Sequence, residues 1–196
     1  MGLTAGPPTG PVAVAFKEWA GVADALAGGR QSIILRKGGI DEGPAGFAPE
    51  HPAFWLYPTW THQASQGLKP GAPIPEAPAT GVVPLPGLAV VEGLHRVDDP
   101  GRLDALAGLT AWSLDTVLQR YHYRGPGLWV LRVRVWVPSV PAAVAERAEY
   151  AGCRSWVPLA EVPAAGGFRP AMGDAAFDAE GRALVEVLGQ PGDRRG

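Results

Sequence analysis

Gln31-Ser32-Ile33-Ile34-Leu35-Arg36-Lys37-Gly38-Gly39-Ile40 is the stretch on which the fold and the function turn. Its β-branched run reads as a buried strand, which carries Arg36 and Lys37 to the rim of a sheet. Gly38 and Gly39 then permit a backbone turn with positive φ and a close approach to a ligand, their N–H groups being free to meet an anion. The plainer alternative is a strand end closed by a turn, with two solvated cations.

Outward from that strand, Phe16, Trp19, Ala20, Ala23 and Ala27 recur at helical spacing, and Gly28-Gly29 supplies a stop, so an amphipathic helix is expected to feed it. On the other side, Phe54-Trp55-Leu56-Tyr57 reads as a second buried strand ended by Pro58. Thr59 then caps a short helix from Trp60 to about Gln66 that raises His62 and Gln63 above a strand end. The many prolines between Pro70 and Pro86 predict an extended loop or flap, and Leu88 to Val97 a strand. Asp99-Pro100 and Ser113 are helix starts.

The longest strand candidate, Leu128 to Val137, places Trp129, Leu131, Val133, Val135 and Val137 on a core face and Arg132, Arg134 and Trp136 on a half-covered face or groove floor. Pro138 to Ala148 reads as a connection, Cys153 to Val157 as a short last strand. A closing helix follows Asp174, with Phe177, Leu184, Val187 and Leu188 inward. The expectation is an α+β fold with a mixed or antiparallel, strongly curved sheet and flanking helices. Residues 1–11 read as a disordered leader, 12–189 as a single globular domain and 190–196 as a tail.

Composition narrows the function classes. The 196 residues are 46% hydrophobic with a formal net charge of −2, so no overall basic field draws the chain to nucleic acid or membrane, and a nucleic-acid site has to be a local patch. Lysine occurs only at Lys17, Lys37 and Lys69; the remaining positive charge is arginine, whose fork suits phosphate and carboxylate. A single cysteine, Cys153, excludes an internal disulfide and a multi-thiolate zinc site, and a reducing cytoplasm is the expected setting. No apolar run approaches the ~18 residues of a membrane span.

No Walker loop, HExxH pair, GxSxG elbow or paired CxxC is present. The candidate ligand-binding residues are therefore polar groups at strand ends: Lys17, Glu18, Arg36, Lys37, Gly38, Gly39, Tyr57, Thr59, His62, Gln63, Arg124 and Trp156, with Trp60 a further stacking candidate. Glu18 is either a solvated carboxylate on the first helix or the group that holds Arg36 or Lys37 in place across the contact between that helix and the strand. No metal site and no cofactor are expected. The leading reading is a module that binds RNA, DNA or a nucleotide in a basic cleft, with Arg36 and Lys37 on phosphate and Tyr57, His62 and Gln63 on a base. The alternatives are an enzyme on a phosphorylated or nucleotide substrate with His62 as acid or base, and a scaffold subunit of a larger nucleic-acid-processing system, with a protein as its partner. Both leading readings expect Arg36 and His62 to face one cleft.

In order, the blocks Phe16-Lys17-Glu18-Trp19, Leu35 to Ile40, Leu56-Tyr57-Pro58-Thr59 with His62-Gln63, Leu131-Arg132-Val133-Arg134-Val135 and Tyr150 to Trp156 resemble a bacterial family known as domain of unknown function 1802. That resemblance implies no established activity. Ala25 to Lys37 also resembles the opening of ASCH-type domains of the PUA-like superfamily, which implies a small barrel and RNA or modified-base recognition.

Overall fold

The computed structural model describes residues 6–37, 49–60, 67–78, 81–152 and 154–189. In it the segment expected to be one long helix divides in two. Val14–Trp19 is strand β1 and Ala20–Ala27 is helix α1. Alternation decides it: Ala15 joins one apolar cluster and Phe16 another, so the segment serves two cores on opposite sides, which a strand does and a helix face cannot. The coincidence that misled the sequence reading is that Phe16 and Ala20 fall four apart across the junction.

Strand β2 (Ile33–Arg36) pairs antiparallel with β6 (Leu128–Pro138) rather than with β3 (Ala53–Thr59). Strand β3 lies between β1, to which it runs parallel, and β5 (Leu88–Val97), to which it runs antiparallel. With β8 (Trp156–Pro158), the sheet order is β2-β6-β5-β3-β1-β8, and β9 (Phe168–Pro170) adds to β6, so Cys153 to Val157 does not hold the last strand. The sheet is mixed and strongly curved. Arg36 of β2 donates to the Lys17 carbonyl of β1 at 2.5 Å, although three strands separate β2 from β1 in the pairing order. A bulge between Val91 and Gly93 of β5 adds twist.

Two apolar clusters flank the β1–β3 pair. Phe16, Phe54 and Leu56 pack with Ile33, Ile34, Leu35 and the long strands, while Ala15, Trp55 and Tyr57 face a separate two-stranded ribbon. That ribbon, β4 (Val82–Leu85) with β7 (Ala142–Ala145), replaces the expected flap and connection. Val83, Leu85, Ala142 and Val144 turn inward, and Pro84, which has no N–H to donate, is tolerated because both strands of a two-stranded ribbon are edge strands. Helix α2 (Leu103–Gly108) follows a 3₁₀ turn capped by Asp99, and α3 (Leu114–His122) is capped by Ser113, whose Oγ accepts from Thr116 N at 3.3 Å.

Helix α4 (Asp174–Leu188) overturns the groove-floor expectation for Arg132 and Arg134. It covers that face: Arg134 is 1% exposed, and the Phe177 ring stacks on both guanidiniums at 4.2 and 4.5 Å. Gly173 precedes the helix as its cap, with Asp174 in the first turn. Near this layer His95 of β5 is buried, and burial, with Arg132 adding, holds its pKa below the ordinary 6.5. An imidazole that resists protonation only when folded costs stability once the unfolded chain takes up the proton. Unfolding free energy is thus expected to fall as pH drops below about 6.5, and His95→Phe to flatten that fall. Burial raises the Glu180 pKa, which acts oppositely as pH falls, so the difference between the unaltered chain and His95→Phe in urea denaturation from pH 8 to pH 5 isolates the His95 contribution.

Candidate functional site

The parallel pairing of β1 and β3 brings their ends together. Lys17 sits opposite Tyr57, Glu18 opposite Pro58 and Trp19 opposite Thr59, so one strand pair delivers a cation, a carboxylate, a phenol and a hydroxyl to one rim. These residues line a cleft of about 650 Å³, with Arg36 and Trp60, and with Glu146, Arg147, Tyr150, Gly152, Arg154 and Ser155 from the segments around β7 and β8.

Glu18 and Arg36 form the inner floor. Glu18 is 2% exposed; its Oε1 accepts from Trp19 N at 2.8 Å, and its Oε2 lies 3.2 Å from an Arg36 terminal nitrogen. The Arg36 guanidinium stacks on the Phe16 ring at 4.1 Å. Behind them Arg120 of α3 lies against the paired Trp19 and Trp112 rings, at 4.9 and 3.8 Å from their centroids, the rings themselves being 4.5 Å apart. Burial draws its pKa down to about 10, with Glu18 opposing and Arg36 adding to the shift.

The walls are aromatic. Tyr57 meets Tyr150 edge to face, with centroids 6.2 Å apart, and the Tyr57 pKa is raised by burial, then by Glu146 and Tyr150. Tyr150 Oη accepts from Ala160 N at 2.8 Å, and Trp60 Nε1 donates to the Pro75 carbonyl at 2.9 Å, so both rings are fixed before any ligand arrives. Lys17 Nζ donates to the Gly152 carbonyl at 2.8 Å, and Thr59 Oγ1 to the Glu18 carbonyl at 3.2 Å. Arg147 and Arg154 are exposed at the edge. The described lining thus carries four cations, Lys17, Arg36, Arg147 and Arg154, against the carboxylates of Glu18 and Glu146, in a chain of net charge −2.

Of the residues singled out in the sequence, Lys17, Glu18, Arg36, Tyr57 and Thr59 line this cleft, as does Trp60. Lys37 does not. Adjacent strand residues point to opposite faces, and Lys37 Nζ donates instead to the carbonyls of Tyr121 at 2.6 Å, Gly127 at 2.7 Å and Gly125, fastening the end of α3 to the turn before β6. Burial and the Arg96 charge lower its pKa. Arg124, at φ 57°, places its guanidinium 4.9 Å from the Tyr123 ring, outside the cleft lining. Trp156, partly buried, packs edge-on to Phe16 and Phe54 of the core, at 4.6 and 5.2 Å. Gly38, Gly39, His62, Gln63 and Cys153 lie outside the described residues, and with them the expected facing of Arg36 and His62. Sequence reasoning missed Glu146 and Arg147 and, although the block Tyr150 to Trp156 stands out, gave Tyr150 and Arg154 no role, because these residues sit in a segment without periodicity.

Among the described residues no cluster of His, Cys, Asp and Glu could hold a metal ion, and no helix is long and apolar enough to cross a membrane.

The family model described as a domain of unknown function, DUF1802, matches residues 15–183. The chain belongs to that family. No curated protein matches the sequence of this DUF1802 protein. Among solved structures it is similar to ASCH from Zymomonas mobilis, at 15% identity and a TM-score of 0.44 over 90% of this chain and 96% of that one. A Tyr-to-Phe variant of the Zymomonas mobilis protein gives 13% identity and a TM-score of 0.45 over 89% and 97% of the two chains.

The floor pair makes a stability prediction. Removing one member of a buried ion pair leaves the other uncompensated, so Glu18→Ala is expected to lower the unfolding free energy by about 3 kcal/mol. Adding Arg36→Met should recover much of that loss, and urea denaturation of the two single variants and the double variant measures the coupling.

Proposed function

We propose that this DUF1802 protein binds a single-stranded nucleic acid or a nucleotide in the cleft at the ends of β1 and β3. The observation that carries the reading is the joining of local positive charge to fixed aromatic walls in an otherwise acidic chain. Phosphate needs arginine donors at an accessible edge, which Arg147 and Arg154 supply. A base needs a ring to stack on and polar groups to meet its edge; Trp60, with the exposed rim of Tyr57, supplies the first, and Thr59 and Arg36 the second. A cleft of about 650 Å³ matches an unstacked nucleotide or two rather than a duplex. Gly38, Gly39, His62 and Gln63 belong to this proposal through their sequence positions beside Arg36 and Thr59. The catalytic alternative rests on His62.

The test is a salt series with a labelled single-stranded RNA. Arg147→Ala/Arg154→Ala should weaken binding. At ~0.7 for each single-strand phosphate no longer neutralised, it should also make the slope of log K on log salt shallower by about 1.4. An unchanged affinity and slope would reject the site.

A further inference from the structure

The cleft holds a charge that the proposed phosphate contacts do not use. Glu18 faces Arg36, Lys17 Nζ donates to the Gly152 carbonyl, and Arg147 lies 3.8 Å from Glu149. Glu146, on the same lining, is exposed, and among the described residues its carboxylate has neither an ion pair nor a hydrogen bond, although Arg147 and Arg154 share the cleft with it. Its main chain is fixed: Glu146 follows the last pair of the ribbon, Val82 with Ala145, and its N–H donates to the Gly81 carbonyl at 3.0 Å. Burial first, and then the Glu146 charge, raise the Tyr57 pKa, so the carboxylate stands beside the aromatic wall. Tyr57 in turn is the register partner of Lys17, whose carbonyl accepts from Arg36.

A carboxylate in a cleft for phosphate works against binding unless the ligand brings it N–H donors. Carboxylate oxygens only accept and guanidinium groups only donate, so Glu146 and Arg36 require both donors and acceptors of one base. Guanine presents two adjacent donors, N1–H and the N2 amino group, which match the two oxygens of a carboxylate, while its O6 and N7 accept from arginine. Adenine and cytosine each set one amino group beside an unprotonated ring nitrogen, whose lone pair repels a carboxylate. Uracil sets a single N–H between two carbonyls.

We propose that Glu146 makes the cleft selective for guanine, its two oxygens accepting from N1–H and the N2 amino group of a base that lies against Trp60. The inference rests on the reading of the cleft as a nucleotide site and adds to it the identity of the base. Arg147 and Arg154 hold the phosphates of any strand, and the carboxylate penalises bases that lack the paired donors.

Anisotropy titrations of the intact chain test this, with a labelled nine-nucleotide oligouridylate and the same strand carrying one central guanosine, inosine or adenosine. The adenosine strand measures purine stacking alone, and the guanosine strand should bind about tenfold more tightly than it. Inosine, which lacks only the N2 amino group, should fall between the two. Glu146→Gln should weaken the guanosine strand to the level of the adenosine strand and tighten the oligouridylate, because a negative charge has left the lining. The proposal is overturned if guanosine binds no more tightly than adenosine, if inosine equals guanosine, or if Glu146→Gln tightens all four strands alike, the carboxylate then merely repelling phosphate. If the four strands bind equally and Arg147→Ala/Arg154→Ala weakens them all, base selection falls while the cleft reading stands. If no strand binds, both fall.

Discussion

The contact between Arg36 and β1 is the constraint on which both the shape of the sheet and the floor of the cleft depend. Three strands separate β2 from β1 in pairing order, so no backbone ladder joins them, yet Arg36 bonds the Lys17 carbonyl, faces the Glu18 carboxylate and covers the Phe16 ring. A flat sheet would hold these strands, four spacings apart in the order, roughly 19 Å from each other at ~4.8 Å per spacing, so curvature is a condition of the contact. Arginine meets three partners at once because its guanidinium is planar, with donors at its edge and a stacking face; a lysine could reach one or two of them. A buried ion pair adds little stability over an apolar substitute of similar volume, whereas removing one member leaves an uncompensated charge.

The same geometry explains how much of the molecule could be read in advance. Leu88 to Val97 and Leu128 to Val137 were legible as strands because length and β-branched content are local signals, and Asp99-Pro100 and Ser113 because capping chemistry is local as well. Strand β1 was not. Its six residues run directly into α1, and the combined apolar spacing mimics a single helix. The β4–β7 ribbon joins residues some sixty positions apart, each segment too short and too rich in Pro or Ala to stand out alone.

At the site, reading Arg36 and Lys37 as a pair ignored the alternation that sends one to the cleft and the other to the end of α3. Strand pairing was the other gap. A parallel pair does gather residues from two strand ends, but the partner of β3 is β1, a strand the sequence presented as helix. Arg147, Tyr150 and Arg154 arrive from beyond β7, and nothing in their local sequence indicates that they close the cleft.

Charge in the cleft is divided between an interior and an edge. The most buried charge, Glu18, already faces Arg36, while Arg147 and Arg154 remain solvated, so an incoming phosphate would meet donors at the edge without stripping a buried charge of its partner. At −2 the whole molecule repels a polyanion weakly at long range, and beyond about 8 Å at physiological salt that field is largely screened. Binding in the cleft then depends on contacts made within a few ångströms, so the local excess of arginine and lysine in the lining outweighs the sign of the whole chain.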